Sequence, residues 1–242
     1  MSSDLAAARA RVRPLISLVR AGYVPDSPTH DHSHLERVAA LASRICAAEG
    51  GDQLVTLSAA WLHDLHREAR PREERFFVPP EAMDERAETL LNKADIPVAV
   101  HRDILEAIHY TDRYSFSDRP TFEKAAAEAR AVRDADCLDA IGAIGIARSF
   151  SFGGAHGIPL WVSDAPSNSD TYFQGERPPS TIQHFYDKLL RLPGELETPT
   201  AIMLARKRDA YMRSFVAEFM EEWDEDLPAG QLTSVKAASS KK

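Results

Sequence analysis

The chain has only two cysteines in 242 residues, no long apolar run and no block of charge of one sign. Each scarcity excludes something. Cys46 and Cys137 each sit in an apolar helical pattern, so a disulfide framework is excluded and two free buried thiols in a reducing compartment are expected. No apolar run approaches the ~20 residues of a membrane span. The start, Met1-Ser2-Ser3-Asp4-Leu5-Ala6, lacks a basic flank before a long apolar run, so a secretory signal is not expected and the reading is cytoplasmic. The net charge is −8, with acidic residues spread along the chain. That argues against a large nucleic-acid polymer footprint and against anionic membranes, while leaving room for a local basic pocket that takes a small anion. Strand alternation and internal repeats are also lacking, and the oligomeric state is not encoded in any legible pattern.

What is present is helical spacing almost throughout, which gives an all-α expectation. A first amphipathic helix is read over 4–21, stopped by Gly22. Ser27-Pro28 reads as an N-cap and first-turn pair for a second helix running to about Glu49, with Gly50-Gly51 ending it. Its buried stripe is Leu35, Val38, Ala39, Ala42, Ile45 and Cys46. Asp52 then caps a third helix, whose apolar run Leu57–Leu62 ends in Trp61-Leu62-His63-Asp64. Residues 67–80 read as a loop at a site mouth, followed by helices at about 81–92 and 97–109, a polar turn, and one long helix from about 121 to 150. Residues 151–180 are rich in Gly, Pro, Ser and Asp, and too long for a simple connector. Two helices follow, about 180–192 and 198–224. The expected organisation is a single domain over 1–226, with a core of about 27–150 and a C-terminal helical part of about 180–226. Residues 227–242 are expected to be a disordered tail.

The chemistry gathers around His63-Asp64. An imidazole and a carboxylate closing a buried run must be hydrogen-bonded, ion-paired or metal-bound. Upstream stands His30-Asp31-His32-Ser33-His34-Leu35-Glu36-Arg37-Val38, and downstream Asp134-Ala135-Asp136-Cys137-Leu138-Asp139-Ala140. One His, a His-Asp pair and a distant Asp make four N/O ligands suited to one divalent cation. On the residues alone, Asp134 and Asp139 rival Asp136.

This order, His-x-x-Arg-Val before the pair and Ala-Asp-x-Leu-Asp after it, resembles the HD superfamily of metal-dependent phosphohydrolases over roughly Ser27 to Arg148. The later Ala140–Arg148 run resembles a small stand-alone bacterial subfamily acting on nucleotides. The resemblance implies a compact multi-helix HD-domain bundle with metal ligands His34, His63, Asp64 and Asp136. It leaves His30 and Asp31 beside the ligands, and Asp139 to orient a ligand or the water or to assist proton transfer. It also implies a divalent ion, manganese foremost, with magnesium, cobalt or nickel as alternatives. Some members hold a second metal through two further histidines. His66 is too close to the pair, and His101 and His109 lie two turns apart on one expected helix, which favours a mononuclear site. His109 then remains as a substrate ligand or proton shuttle, and His101, His32, His66 and His156 read as surface or loop residues. For phosphate, cations are needed: Arg37, Arg148 and Lys188, with His184 sharing a face with Lys188, and Arg208 as a weaker candidate. The expected activity is hydrolysis of a nucleoside mono- or triphosphate. A dinuclear-iron oxygenase on the same fold and a catalytically silent nucleotide-binding module are the alternatives.

Overall fold

Two aspartates start the helices that matter most. In the computed structural model, Asp31 caps α2 (His32–Glu49) by accepting from the His34 N–H at 2.9 Å, and Asp52 caps α3 (Gln53–Leu62) through the N–H groups of Leu54 and Val55. Both satisfy amide groups that a helix start leaves without partners. The structure describes residues 3–25, 29–67, 79–121, 125–162, 172 and 177–225. Ser27 and Pro28 lie outside them, and the second helix begins at His32, several residues later than that pair suggested.

Before these comes α1 (Ser3–Gly22); after them come α4 (Asp84–Lys93), α5 (His101–Tyr110), α6 (Ala127–Asp139), α7 (Gly142–His156), the single turn α8 (Thr181–His184) and α9 (Pro199–Glu225). Tight 3-10 turns precede α4 and α5, so each begins a few residues after its expected start. Helix α2 packs on α3 and α6, α3 also on α1 and α5, and α7 on α9. The expected α2 stripe is buried throughout, each residue at most 5% exposed, and every residue of α3 from Val55 to Leu62 is interior. Burying Val55, Leu57 and Leu62 contributes roughly 1.5–3 kcal/mol each, and the small residues between them let neighbours pack around the whole of α3. The helical expectation is met: strand-like pairing among the described residues is confined to isolated bridge residues, one bridge joining Ser117 and Tyr172. There Tyr172 pairs through its N–H with the Phe116 carbonyl at 2.8 Å and through its carbonyl with the Asp118 N–H at 3.2 Å.

The long helix expected over 121–150 is instead two, because the chain turns at Ala140-Ile141. Gly142 has φ +76°, a left-handed conformation that side chains disfavour, and a Cβ there would lie 2.9 Å from Arg208 Cβ. Arg208 donates to the Leu138 carbonyl, so it satisfies the end of α6 rather than facing a phosphate. The elbow turns α7 back so that Arg148 meets Asp139. Helix α7 continues to His156, into the stretch read as loop; Gly157, at φ +66°, closes it. After α8 the chain passes through a π turn, Phe185–Leu189, closed by Leu190 N–H to the Phe185 carbonyl at 2.8 Å. Most of the expected loop at 67–80 and the tail at 227–242 lie outside the described residues.

The C-terminal helix is tied to the centre by buried charge. Asp134, fully buried, accepts from the N–H groups of Glu197 and Thr198 and from the Thr198 hydroxyl (2.7 Å), capping the start of α9. Arg133 beside it donates to the carbonyls of Arg113 and Glu195, both at 2.7 Å, between the rings of Tyr110 and Tyr114. Asp134 is thereby taken up by structure, which removes it as a rival to Asp136.

Candidate metal centre and adjoining cleft

Three side chains from three helices meet at one point, with Asp64 beside them. His34 comes from the first turn of α2, His63 and Asp64 from the end of α3, and Asp136 from α6. Donor atoms of His34, His63 and Asp136 all lie within 4.8 Å of one another. His34 Nε2 is 3.3 Å from His63 Nε2, 3.2 Å from Asp64 Oδ2 and 3.5 Å from Asp136 Oδ1. His63 Nε2 is 3.6 Å from Asp64 Oδ1 and 3.9 Å from Asp136 Oδ1. An ion with bonds of about 2.1 Å sets neighbouring ligands roughly 3–3.5 Å apart; the three separations from His34 suit it, and the two from His63 to the carboxylates are somewhat longer.

The hydrogen bonds behind the two imidazoles decide which atoms face inward. His63 Nδ1 is 2.8 Å from the Ala60 carbonyl, which can only accept, so Nδ1 carries the proton. His34 Nδ1 is 2.8 Å from the Asp139 carboxylate and donates to it. Both Nε2 atoms are then available as lone pairs, and they face each other across 3.3 Å with an anionic Asp64 alongside. Asp64 Oδ2 is buried without a settled hydrogen bond. Two lone pairs and a carboxylate converging in an interior are unfavourable unless a cation or proton lies between them. Without a metal the proton serves. Burial pulls His34 down, but its bonds to Asp139 and Asp64 outweigh that and push it up to about 8. Burial likewise raises Asp64, yet the imidazoles of His63, His30 and His34 hold it well below the usual carboxylate range.

Asp139 is the hub behind the cluster. Its carboxylate accepts from His34 Nδ1, from Arg37 Nε at 2.7 Å and Nη2 at 2.9 Å, and from Arg148 Nη1 at 3.2 Å. These partners overcome its burial and keep it anionic far below the usual carboxylate range, which suits it to orient His34 and not to shuttle protons. Arg37, expected at phosphate, spends its third edge on Ser33 Oγ and does not line the cleft described below. His109 bonds Asp84 at 2.7 Å, away from that cleft, and His101 is buried with Nε2 donating to the Ile96 carbonyl. His66, read as a surface residue, is buried and paired with Asp112 at 3.1 Å. Among the described residues, one group of His, Cys, Asp and Glu side chains can hold an ion.

Beside this cluster opens a cleft of about 160 Å³. Its walls are α7 and the Thr181–Leu189 segment. His30, 6.0 Å from the His34 ring, and Arg148, on Asp139, join it to the cluster. Arg148, Lys188 and His184, expected near substrate, all line it; so does Arg67, which was placed only at the start of a loop. Lys188 Nζ lies over the rings of Tyr114 (5.0 Å) and Tyr172 (5.4 Å). His184 is pushed down to about 3 by burial and by Lys188, so it is neutral at pH 7. Thr181 was missed because Ser180-Thr181 reads as a helix start; its i, i+3, i+7 spacing to His184 and Lys188 is the signal that could have found it.

An all-α bundle that brings His, His-Asp and Asp together from α2, the end of α3 and α6 is the arrangement of the HD superfamily, and the chain belongs to it. It is 35% identical over 203 residues to the Bacillus subtilis protein YpgQ, covering 84% of this chain and 87% of YpgQ. A protein of Lactobacillus plantarum has a similar solved structure, with TM-score 0.76, 30% identity, and 90% of this chain and 98% of that one covered. So has an HD-superfamily hydrolase of Bacillus thuringiensis (TM-score 0.62, 27% identity, 90% and 98%). YpgQ has been solved in complex with ADP; that structure matches with TM-score 0.62 and 26% identity, over 92% of this chain and 97% of the other. No family model matches the sequence.

Proposed function

We propose that this protein is a phosphohydrolase that uses one divalent ion, manganese foremost, to cleave a phosphate ester or anhydride of a nucleotide. The observation that carries the reading is the pair of inward-facing Nε2 atoms, 3.3 Å apart with Asp64 and Asp136 around them, at the edge of a cleft lined by cations. His34, His63, Asp64 and Asp136 would hold the ion, which supplies an acidified water and polarises a phosphoryl oxygen. Asp139 holds His34 in the ligating tautomer, and Arg37 with Arg148 hold Asp139. Ala60 does the same for His63 through its carbonyl. Arg148 uses Nε on the Thr29 carbonyl and Nη1 on Asp139, and with Arg67 and Lys188 it puts positive charge on the cleft wall where phosphoryl oxygens would lie. The complex of YpgQ with ADP supports a nucleotide as the phosphate carrier. The location of the two extra histidines, His101 and His109, on Ile96 and Asp84 supports one metal over two.

The test is a panel of nucleoside mono-, di- and triphosphates with each metal, measuring phosphate and pyrophosphate separately. Activity should vanish after chelation and return with manganese, and His63→Ala, Asp64→Ala and Asp136→Ala should each abolish it while the helical signal persists. Turnover in a fully chelated sample would refute the mechanism.

A further inference from the structure

The far end of the cleft contains an unresolved polarity. Thr181 is 2% exposed, yet among the described residues its hydroxyl has no hydrogen-bond partner, and the buried Nδ1 of His184, one turn on, has none either. Both residues line the cleft. Leaving such atoms unpaired is costly, and Thr181 is packed so closely on α7 that a Cβ at Gly153 would come 2.3 Å from its hydroxyl. A valine would fill the same space without that cost. Phe152, backed by the His156 ring at 4.0 Å, and Tyr172, 6.0 Å from the His184 ring, also line the cleft. Thr181, His184 and Lys188 follow one another along a single face, about 10 Å from first to last at helical rise. Only Lys188, at the end toward Asp112, carries charge.

Resting on the nucleotide reading above, we propose that Thr181 and His184 read the edge of the nucleobase, with Phe152 and Tyr172 as apolar walls for its ring. The phosphates then lie at the Lys188 and Arg148 end, beside the metal. A neutral hydroxyl and a neutral imidazole each donate and accept, which matches the mixed edge of a planar heterocycle and not an anionic group. The aromatic walls exclude a bare sugar phosphate as the preferred occupant.

Two measurements test this on the manganese-loaded full chain. The first compares kcat/KM for four ribonucleoside triphosphates with that for inorganic tripolyphosphate, in wild type, Thr181→Val and His184→Phe. Wild type should discriminate among bases, and each variant should lose at least fivefold in the ratio of preferred nucleotide to tripolyphosphate. Thr181→Val should melt no lower than wild type, since it removes only an unpaired hydroxyl. Equal losses on both substrates, or an unchanged base preference, would overturn the assignment. The second is saturation-transfer NMR with free adenosine, guanosine, cytidine and uridine, which needs no turnover. A nucleoside signal in wild type that Thr181→Val weakens upholds the base subsite even if no phosphate is ever released, in which case the hydrolase reading alone fails. No nucleoside signal in wild type, as expected if a single water bridges the two atoms, overturns the base subsite and leaves the hydrolase standing.

Discussion

The metal-free protein should lose stability as pH rises through neutrality, and manganese should restore it. His34 is fully buried, and its partners move it from an ordinary 6.5 to about 8. A folded pKa above the unfolded one means that the stabilisation is complete below about pH 6.5 and gone above about pH 8. The size follows from the displacement: about 2 kcal/mol. For a chain of this length that is about 4–8 °C in melting temperature. The physical event is loss of the proton between two facing imidazole nitrogens and Asp64. Manganese needs that same bare nitrogen, so its apparent affinity should weaken about tenfold for each pH step below 8. The assay is thermal melting of chelated protein at pH 6.0 and 8.5, with and without excess manganese, and of His34→Gln as the control. In wild type the metal-free melt should be lower at pH 8.5, and the metal-induced rise should be larger there. In His34→Gln the pH difference should shrink. A wild-type melt no lower at pH 8.5 than at 6.0, matched by His34→Gln, would refute the tautomer and proton assignment on which the metal centre rests.

Asp139→Asn should weaken manganese binding ten- to a hundredfold, the usual cost of losing a partner behind a ligating histidine, measured by competition with a fluorescent chelator. Arg37→Ala should act in the same direction on metal affinity and leave KM for nucleotide nearly unchanged; a large KM effect would return Arg37 to the phosphate. Lys188→Gln and Arg148→Gln should lower kcat/KM ten- to a hundredfold, from hydrogen bonds to charged groups that contribute roughly 1.5–3 kcal/mol, whereas Arg206→Ala on the exposed side of α9 should change it less than twofold. Gly142→Ala should destabilise by about 1–3 kcal/mol, because φ +76° disfavours a side chain and its Cβ meets Arg208; an unaltered melt would mean that the elbow yields.

The helices were legible where burial imposes a period and a cap marks the start: the α2 stripe and Asp52 are where the pattern put them. The elbow was not, although Gly142 was visible. A glycine inside an apolar run reads equally as close packing or as a left-handed break, and only the neighbour, Arg208, decides. The start of α2 failed for a related reason. Ser27-Pro28 is a good local cap, but Asp31 places His34 in the first turn, where its ring can reach both α3 and Asp139.

The grouping His34, His63, Asp64 and Asp136 came from the family resemblance, because the order of the motifs survives in sequence; on the residues alone Asp134 and Asp139 stood level with Asp136. Arginine roles do not survive in that way. Arg37 and Arg148 look identical as free cations, and their fates separate only through Asp139: Arg37 is consumed by it and by Ser33, while Arg148 touches it once and still borders the cleft. Buried histidines mislead similarly, since His66 and His101 find their partners, Asp112 and the Ile96 carbonyl, only through the fold. The same logic gives weight to Thr181. Asp134, Arg133 and Asp139 are each met by partners, and Ser58, whose hydroxyl is also unmet among the described residues, borders no cleft; it is the position of Thr181 on the cleft wall that makes its hydroxyl the one to test against a ligand.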